Sequence, residues 1–134
     1  MTLTADRNVP RRNGDVFSYP VAAGETVFAG AITCVTSAGF AAPGTTSTTL
    51  KTVGVAQATA DNNPGLDGAI QVEVRRGVFR FDNSAAADLI ALADVNADCY
   101  IVDDETVAKT NGTATRSIAG KVRDVDADGV WVEI

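Results

Sequence analysis

The sequence predicts an all-β protein: a small antiparallel β-sandwich or barrel, jelly-roll-like, with one short α-helix near residues 84–93 and an irregular N-terminal arm. Short runs of β-branched and apolar residues alternate with turn-forming clusters about every eight to twelve residues, a spacing typical of sandwiches and barrels. The composition agrees, because 46% of the residues are hydrophobic but only 6% are aromatic. Alanine, valine, glycine and threonine must therefore fill the interior, which suits a thin layer between sheets.

The chain has 134 residues, which suits one domain of ordinary size, and we assign a single β domain to residues 13–134. Residues 1–12 are polar and basic, contain Pro10 and show no periodicity, which predicts an extended or flexible arm. Such an arm either stays disordered, the default for a terminus, or becomes ordered against a neighbouring molecule. The sequence leaves both alternatives open.

The first half of the domain reads as short strands. They are predicted at residues 16–19, 26–36, 40–42 and 52–58, separated by turns that contain glycine. The Thr/Ser-rich stretch 43–49 has no apolar anchor and is predicted to be a surface loop.

The strand that leads to residue 81 changes the face that it buries. Large apolar residues before Gly77 have even numbers, whereas those after it, Phe79 and Phe81, have odd numbers. Because side chains alternate with a period of two, this change would turn a continuous strand inside out. We therefore expect a bulge or corner at residues 75–77, where the chain crosses between sheets.

One short α-helix is predicted over residues 84–93. The preceding Asp82-Asn83-Ser84 offers side chains of the N-capping type. Four apolar residues then follow the i, i+3, i+4, i+7 spacing of a helical face, namely Ala86, Leu89, Ile90 and Ala93.

Two hairpins are predicted in the last third of the chain. Strands at 98–102 and 106–110 flank Asp103-Asp104-Glu105, and strands at 118–125 and 130–134 flank Asp126-Ala127-Asp128-Gly129. The second turn also matches the start of a calcium loop. However, its flanks are strands rather than helices, and the carboxylate required at the twelfth position would lie beyond Ile134. A hairpin turn is therefore the favoured interpretation.

The charge and the residue types exclude several classes of function. The formal net charge is −6 and there is no histidine. An acidic body repels phosphate backbones, so no nucleic-acid partner is expected. Without histidine, neither a Ser-His-Asp triad nor the usual zinc site can be built. We therefore expect no enzyme activity, no metal and no cofactor.

Neither a membrane partner nor a disulfide is expected. The apolar-leaning stretch 27–35 is about half as long as a membrane span, and the N-terminus lacks the apolar core of a secretory signal. We therefore expect a soluble protein made without an export signal.

Cys34 and Cys99 lie in apolar, strand-like runs and are expected to be buried free thiols, with a bridge between them as the open alternative.

Seven residues are candidates for binding a partner. The basic cluster of the arm, Arg7, Arg11 and Arg12, is either part of a disordered tail or docks on an acidic surface. The cluster Arg75, Arg76 and Arg80 either docks on an acidic partner or is a solvated edge whose charge discourages aggregation, which is the simpler interpretation. On the last strand, the even positions take the core face, so Trp131 points outward and is either covered by a neighbouring segment or anchors an interface. The candidates are Arg7, Arg11, Arg12, Arg75, Arg76, Arg80 and Trp131.

Five segments of the last third carry a family resemblance: Phe81-Asp82-Asn83-Ser84, the Ala/Leu run 85–93, Cys99-Tyr100-Ile101-Val102-Asp103-Asp104, residues 106–110 and the hairpin 119–134. In these segments the chain resembles the head-decoration (cement) proteins that tailed bacteriophages and prophages place on their capsids. The resemblance is closest over residues 75–134 and looser in the N-terminal half.

The resemblance implies a small, non-enzymatic protein that is made in the host cytoplasm and located on the capsid exterior of the virion. Its partner would be the major capsid protein, whose neighbouring subunits it would bridge, and it would form a homo-oligomer, a dimer or a trimer. The family has no residue-level binding motif that transfers to this chain. The seven candidate residues therefore rest on charge and position.

Two other functions compete with this one. The first is a stand-alone ligand- or carbohydrate-binding β-module, which would display several exposed aromatic rings, whereas this chain has one Trp, two Tyr and five Phe. The second is an enzyme that uses carboxylates alone, around residues 103–105. It ranks lowest, because adjacent carboxylates in a loop point apart and stay solvated, unlike the pairs of glycosidases.

Overall fold

The computed structural model describes all 134 residues and shows an all-β protein, as the sequence predicts. Two single 3₁₀ turns, Ala86–Asp88 and Leu92–Asp94, are the only helical segments. The strands are β1 (Val16–Pro20), β2 (Thr26–Val27), β3 (Ile32–Val35), β4 (Ala41–Pro43), β5 (Lys51–Ala56), β6 (Ala60–Asp61), β7 (Gln71–Arg75), β8 (Val78–Asn83), β9 (Asp98–Ile101), β10 (Thr106–Ala108), β11 (Ile118–Asp126) and β12 (Gly129–Glu133).

The first half of the chain forms a five-stranded sheet in the order β1-β7-β5-β3-β4, in which every pair is antiparallel. Val21, directly after β1, forms a parallel bridge with Ala41 of β4, and the Ala22 N–H donates to the Ala41 carbonyl at 2.9 Å. The two edges of the sheet therefore meet, and the sheet curls around its own core. The buried residues of this core are Val21, Val27, Ala31, Ala41, Ala56, Ala60, Val72 and Val74.

The second half forms a closed barrel in the order β10-β8-β12-β11-β9. Both predicted hairpins are present, because β9 pairs with β10 and β11 pairs with β12, each antiparallel. A short parallel pairing of β10 with β8 closes the barrel. Of the predicted alternatives the second half thus forms a barrel, and its strand order differs from that of an eight-stranded jelly roll.

Strands β3 and β5 of the sheet contribute side chains to both cores. Ile32 and Cys34 of β3 and Val55 of β5 belong to the barrel core, whereas Ala56, one residue further on, belongs to the core of the sheet. Since successive side chains of a strand point to opposite faces, this part of the sheet is covered on both sides. The two cores are therefore separated by one layer of backbone.

The predicted corner is confirmed. Strand β7 ends at Arg75 in the sheet, and β8 begins at Val78 in the barrel. Between them Gly77 has a φ of 156° and exchanges two backbone hydrogen bonds with Ile134, at 3.3 and 2.9 Å. The change of parity in the sequence marks the crossing from one core to the other.

The predicted α-helix at residues 84–93 is wrong. The Asn83 side chain does not cap a helix: its Nδ2 donates to the Ile90 carbonyl at 2.9 Å, and its Oδ1 accepts from the Ile90 N–H at 2.9 Å. These two bonds hold Ile90, 2% exposed, in the barrel core, while Leu89 is 50% exposed. A side-chain clamp across seven residues thus replaces the helical ladder, and only isolated 3₁₀ turns remain.

Both cysteines are free thiols and both belong to the barrel core. Burial raises the pKa of the Cys34 thiol to about 11 and that of Cys99 to about 12. The hydrogen bonds of the thiols, with the Thr52 hydroxyl and the Gly120 carbonyl, oppose this rise only in part. The expectation of buried free thiols is met.

The β11–β12 hairpin is closed by the carboxylate of Asp126. Its Oδ1 accepts from the backbone N–H groups of Asp128 and Gly129, at 2.8 and 3.1 Å, and its Oδ2 accepts from Trp131 Nε1 at 2.9 Å. The bond from Trp131 is the main cause that lowers the pKa of Asp126 below its usual value. The expectation of a hairpin turn is confirmed, and its central carboxylate is fully used within the turn.

The burial of the thiols predicts that they resist labelling. Because the thiolate is the reactive form, a thiol-specific reagent at mildly alkaline pH should label neither cysteine in the folded protein and both after denaturation. Thiol counts on native and guanidinium-denatured samples, without reductant, measure this. Rapid labelling of the native protein, or no labelling of the denatured protein, would contradict the buried free thiols.

The lowered pKa of Asp126 predicts a pH-dependent contribution to stability. The ionised carboxylate stabilises the folded state above the unfolded pKa of about 3.9, and this contribution is lost as the pH falls through the lower folded pKa. Asp126→Asn should therefore lower Tm at neutral pH, and the difference from the wild type should shrink in acid. Asp82→Asn is the matched control, since the side chain of that exposed β8 residue makes no hydrogen bond. Parallel Tm curves for Asp126→Asn and the wild type would refute the argument.

Candidate functional site

The structure brings the root of the N-terminal arm against the corner. The carbonyl of Asp15 accepts a hydrogen bond from the Arg76 N–H at 2.7 Å, and Val16 is paired with Arg75 across β1 and β7. The guanidinium of Arg12 lies 4.7 Å from the centre of the Phe17 ring. The backbones of two basic segments that are more than sixty residues apart in the sequence therefore meet here, while Phe17, which Arg12 contacts, and Arg75 point to opposite faces of the β1–β7 pair.

The arm itself is exposed over residues 1–14 and has neither a strand nor a helix. Arg12 is fixed by its cation–π contact with Phe17, an interaction that holds the last part of the arm on the sheet. Arg7 and Arg11 lie further out and form no ion pair. We call the arginines of the arm and of the corner, Arg7, Arg11, Arg12, Arg75 and Arg76, the arm–corner surface; they flank both faces of the β1–β7 pair on a body whose net charge is −6.

Arg80 does not share this surface. It lies on β8 next to Trp131 of β12, with its guanidinium 5.8 Å from the tryptophan ring and 3.8 Å from a carboxylate oxygen of Asp128. Grouping Arg80 with Arg75 and Arg76 by sequence proximity is thus wrong, because the corner between them turns the chain from the sheet into the barrel. Arg80 is part of the outer face of the barrel.

Trp131 points away from the barrel core, as the alternation in β12 predicts, since Val130 and Val132 on either side are fully buried. The ring is half-buried. No helix covers it; Asp126 binds its Nε1 and Arg80 lies over its face. The tryptophan is therefore already engaged within its own hairpin, which favours a structural role over that of a free anchor.

Exposed aromatic side chains are scarce. Phe28 is 61% exposed and is the only aromatic residue among the exposed large hydrophobic ones. It lines a groove of about 400 Å³ together with Asp104 and Glu105, on the β9–β10 turn. This acidic edge with an apolar centre is opposite in charge to the arm–corner surface.

No three His, Cys, Asp or Glu side chains are grouped closely enough to hold a metal ion. The helical segments are single turns, so none has the length or hydropathy to span a bilayer.

One further region, a groove, is not evident from the sequence. A groove of about 560 Å³ lies between the Thr/Ser loop, the start of β11 and β9, and its lining includes Lys51 and Arg116. These two cations are sixty-five positions apart and belong to no motif. No local signal in the sequence could have joined them, because the loop and the strands meet only through tertiary hydrogen bonds.

Comparison of the chain with protein-family models, with curated proteins and with solved structures finds no match to any of them.

Proposed function

We propose that this protein is a structural virion protein that binds the outer surface of a phage capsid and stabilises it by bridging neighbouring subunits of the major capsid protein. The observation that carries the proposal is the arm–corner surface: an exposed basic arm that is rooted on a rigid double-core body beside two further arginines. The resemblance of residues 75–134 to capsid decoration proteins supplies the identity of the partner.

The body suits a role that needs stiffness rather than chemistry. A single bridge between Val21 and Ala41 joins the edges of its sheet, and its barrel is closed by β8 and β10. Closed sheets leave few free edges for unwanted strand pairing. A stiff body transmits load between the subunits that it touches, whereas a flexible linker would not.

The arm would provide the contacts that bind the capsid shell. Arg7 and Arg11 form no ion pair and are free to meet carboxylates of an acidic shell surface. Exposed ion pairs are weak individually, at most about 1 kcal/mol each. A standard interface of about 800 Å² per partner and the engagement of several subunits at once would raise the effective affinity by orders of magnitude.

A homo-oligomer, a dimer or a trimer, is part of the proposal. The groove at Phe28, Asp104 and Glu105 combines an exposed ring with two carboxylates, which complements the basic arm of a second copy. On a shell, several linked copies would multiply the weak contacts of each one. The isolated position of Phe28 also favours a protein partner over the alternative of a carbohydrate-binding module, which needs neighbouring aromatic faces.

Removal of the outer arm tests the adhesion. A chain lacking residues 2–11 keeps the Arg12–Phe17 contact and should keep its Tm, because the deleted residues are exposed. Its co-sedimentation with mature, expanded phage shells should weaken roughly tenfold or more, since small losses at each copy multiply. The binding of the full-length chain should also fall as salt is added, because exposed charges are screened.

Arg7→Gln with Arg11→Gln should weaken sedimentation nearly as much as the deletion. The matched control is Lys109→Gln with Lys121→Gln, which removes the same charge from exposed ion pairs of the body. Retention of the full-length protein in the supernatant would refute the capsid proposal. Unchanged binding of the deletion variant would show that the arm is only a tail.

The oligomer is tested separately, by light scattering of the protein alone. The full-length chain should be a dimer or a trimer, and Glu105→Lys should shift it towards monomer by placing a cation in the acidic groove. Glu73→Lys, an equal charge reversal at an exposed position of β7, should not. A monomeric full-length protein would overturn the self-association while leaving the capsid proposal open to the sedimentation test.

A further inference from the structure

The chain contains two Asn-Gly dipeptides, and the structure places them in opposite environments. Asn13-Gly14 lies at the root of the arm, and Asn111-Gly112 lies in the connection between β10 and β11. Because glycine has no side chain to hinder the approach, its backbone nitrogen is well placed to attack the side-chain amide of a preceding asparagine. The rate of such an attack depends on how freely the two reacting atoms reach the required geometry.

The Asn13-Gly14 link is free between two fixed points. On one side the arm is held by the cation–π contact of Arg12, and on the other by the hydrogen bond between the Asp15 carbonyl and the corner. Asn13 and Gly14 are exposed and lie outside the strands, and neither the Asn13 amide nor the Gly14 N–H has a hydrogen-bond partner. A Cβ on Gly14 would meet no non-adjacent residue within 4 Å. The asparagine side chain and the glycine nitrogen are therefore free to approach each other.

The Asn111-Gly112 dipeptide is held in place instead. Asn111 Oδ1 accepts a hydrogen bond from the Ala114 N–H at 3.2 Å. The Gly112 N–H, which carries the attacking nitrogen, donates to Thr110 Oγ1 at 3.3 Å. Two further backbone N–H groups donate to the Asn111 carbonyl, at 2.9 and 3.1 Å. Since ring closure would require this turn to rearrange, the fold protects the second dipeptide.

We propose that Asn13 is a site of spontaneous deamidation, at which the side-chain amide becomes a carboxylate at the root of the arm. The Gly14 nitrogen forms a bond to Asn13 Cγ, the bond from Cγ to Nδ2 breaks, and Nδ2 leaves as ammonia with the proton that the Gly14 nitrogen loses. Water then opens the resulting succinimide at either of its two carbonyls, which gives aspartate or isoaspartate. Water is the only co-reactant, so the step requires no enzyme.

The product changes the charge of the arm. The arm carries Arg7, Arg11 and Arg12 against the single carboxylate of Asp6. A new carboxylate at residue 13 lies directly beside Arg12 in the chain and offsets part of the positive charge that attracts an acidic partner. The attraction of the arm for acidic surfaces therefore decreases as the molecule ages. The inference does not depend on the capsid proposal, since it concerns the chemistry of the arm and not the identity of the partner.

The rates of deamidation at the two dipeptides test the proposal. The full chain is incubated at mildly alkaline pH in water that carries a heavy oxygen isotope, and peptide mapping by mass spectrometry follows each asparagine. In the folded protein Asn13 should lose ammonia and gain a heavy oxygen at least about tenfold faster than Asn111, because the geometry of attack is blocked at Asn111. In the guanidinium-denatured chain the two residues should react at similar rates, since the protecting hydrogen bonds are gone.

Gly14→Ala is the matched variant. Gly14 does not have a positive φ, and the added methyl group meets no neighbour, so Tm should stay unchanged. The methyl group hinders the attack of the residue 14 nitrogen, and deamidation of Asn13 should slow severalfold. The rate at Asn111 in the same sample is the internal control and should not change.

Asn13→Asp imitates the aspartate product and tests the effect on charge. On beads coated with polyglutamate, a generic acidic surface, Asn13→Asp and the deamidated wild type should elute at lower salt than the fresh wild type. Asn63→Asp adds the same charge at an exposed position between β6 and β7, away from the arm. This variant should elute as the fresh wild type does.

Three results would overturn the proposal. The first is an equal rate of deamidation at Asn13 and Asn111 in the folded protein. The second is an unreacted Asn13 in the folded protein under conditions in which the denatured chain deamidates. The third is identical elution of Asn13→Asp and the fresh wild type, which would show that a charge at residue 13 does not affect the arm. None of these results involves phage shells, so failure here and failure of the capsid proposal remain distinguishable.

Discussion

The burial of the β3–β5 pair on both faces is the constraint on which the rest of the structure depends. Ile32, Cys34 and Val55 of this pair lie in the barrel core, whereas Ala56 and Val53 face the core of the curled sheet. Where β5 runs beside the end of β7, the backbones approach closely: a Cβ on Gly54 would lie 2.7 Å from the Arg75 carbonyl oxygen, and Gly54 has a φ of 150°. A side chain there would push the two strands apart. The abundance of alanine and glycine and the scarcity of aromatic residues thus follow from a layer of backbone that must pack on both sides.

Predictions from the sequence succeeded where structure is decided by near neighbours. The hairpins at residues 103–105 and 126–129 follow from turn chemistry, and the corner at Gly77 follows from the period of two in strand side chains. They failed where one side chain acts over a distance. Asn83 reads as a helix-capping residue, yet both its donor and its acceptor pair with Ile90. Asn62 lies among turn-forming residues, yet it is buried and its Nδ2 donates to the carbonyls of Val21, Ala22 and Leu66. In both places a side-chain amide substitutes for a backbone partner, and no local propensity encodes which backbone it will meet.

The sequence shows which arginines are candidates for the arm–corner surface, but it does not show how they are arranged in space. Arginine-rich segments at the start and in the middle of the chain are visible in the sequence, and their positive charge on an acidic protein identifies them. That the arm leaves the body at the corner depends on the pairing of β1 with β7, two strands separated by some fifty residues. Two other relations are hidden in the sequence for the same reason. Arg80 lies beside Trp131 and Asp128 on the barrel, and Lys51 lines the same groove as Arg116. Each of these relations is set by strand order, which hydrophobic periodicity leaves undetermined.

The ion pairs within the protein determine which Lys and Arg side chains remain free to bind an acidic partner. The chain has 11 Lys and Arg residues, and Arg80, Lys109, Arg116, Lys121 and Arg123 are paired with carboxylates within the protein. Of the remaining cations, Lys51 lies in the groove beside the Thr/Ser loop, and all the others belong to the arm–corner surface. Unpaired cations scattered at random would give no preferred orientation towards an acidic partner. Five of the six unpaired cations lie on the arm and at the corner, so the rest of a body of net charge −6 repels such a partner. An acidic surface that approaches the protein is therefore attracted to the arm and the corner and repelled elsewhere.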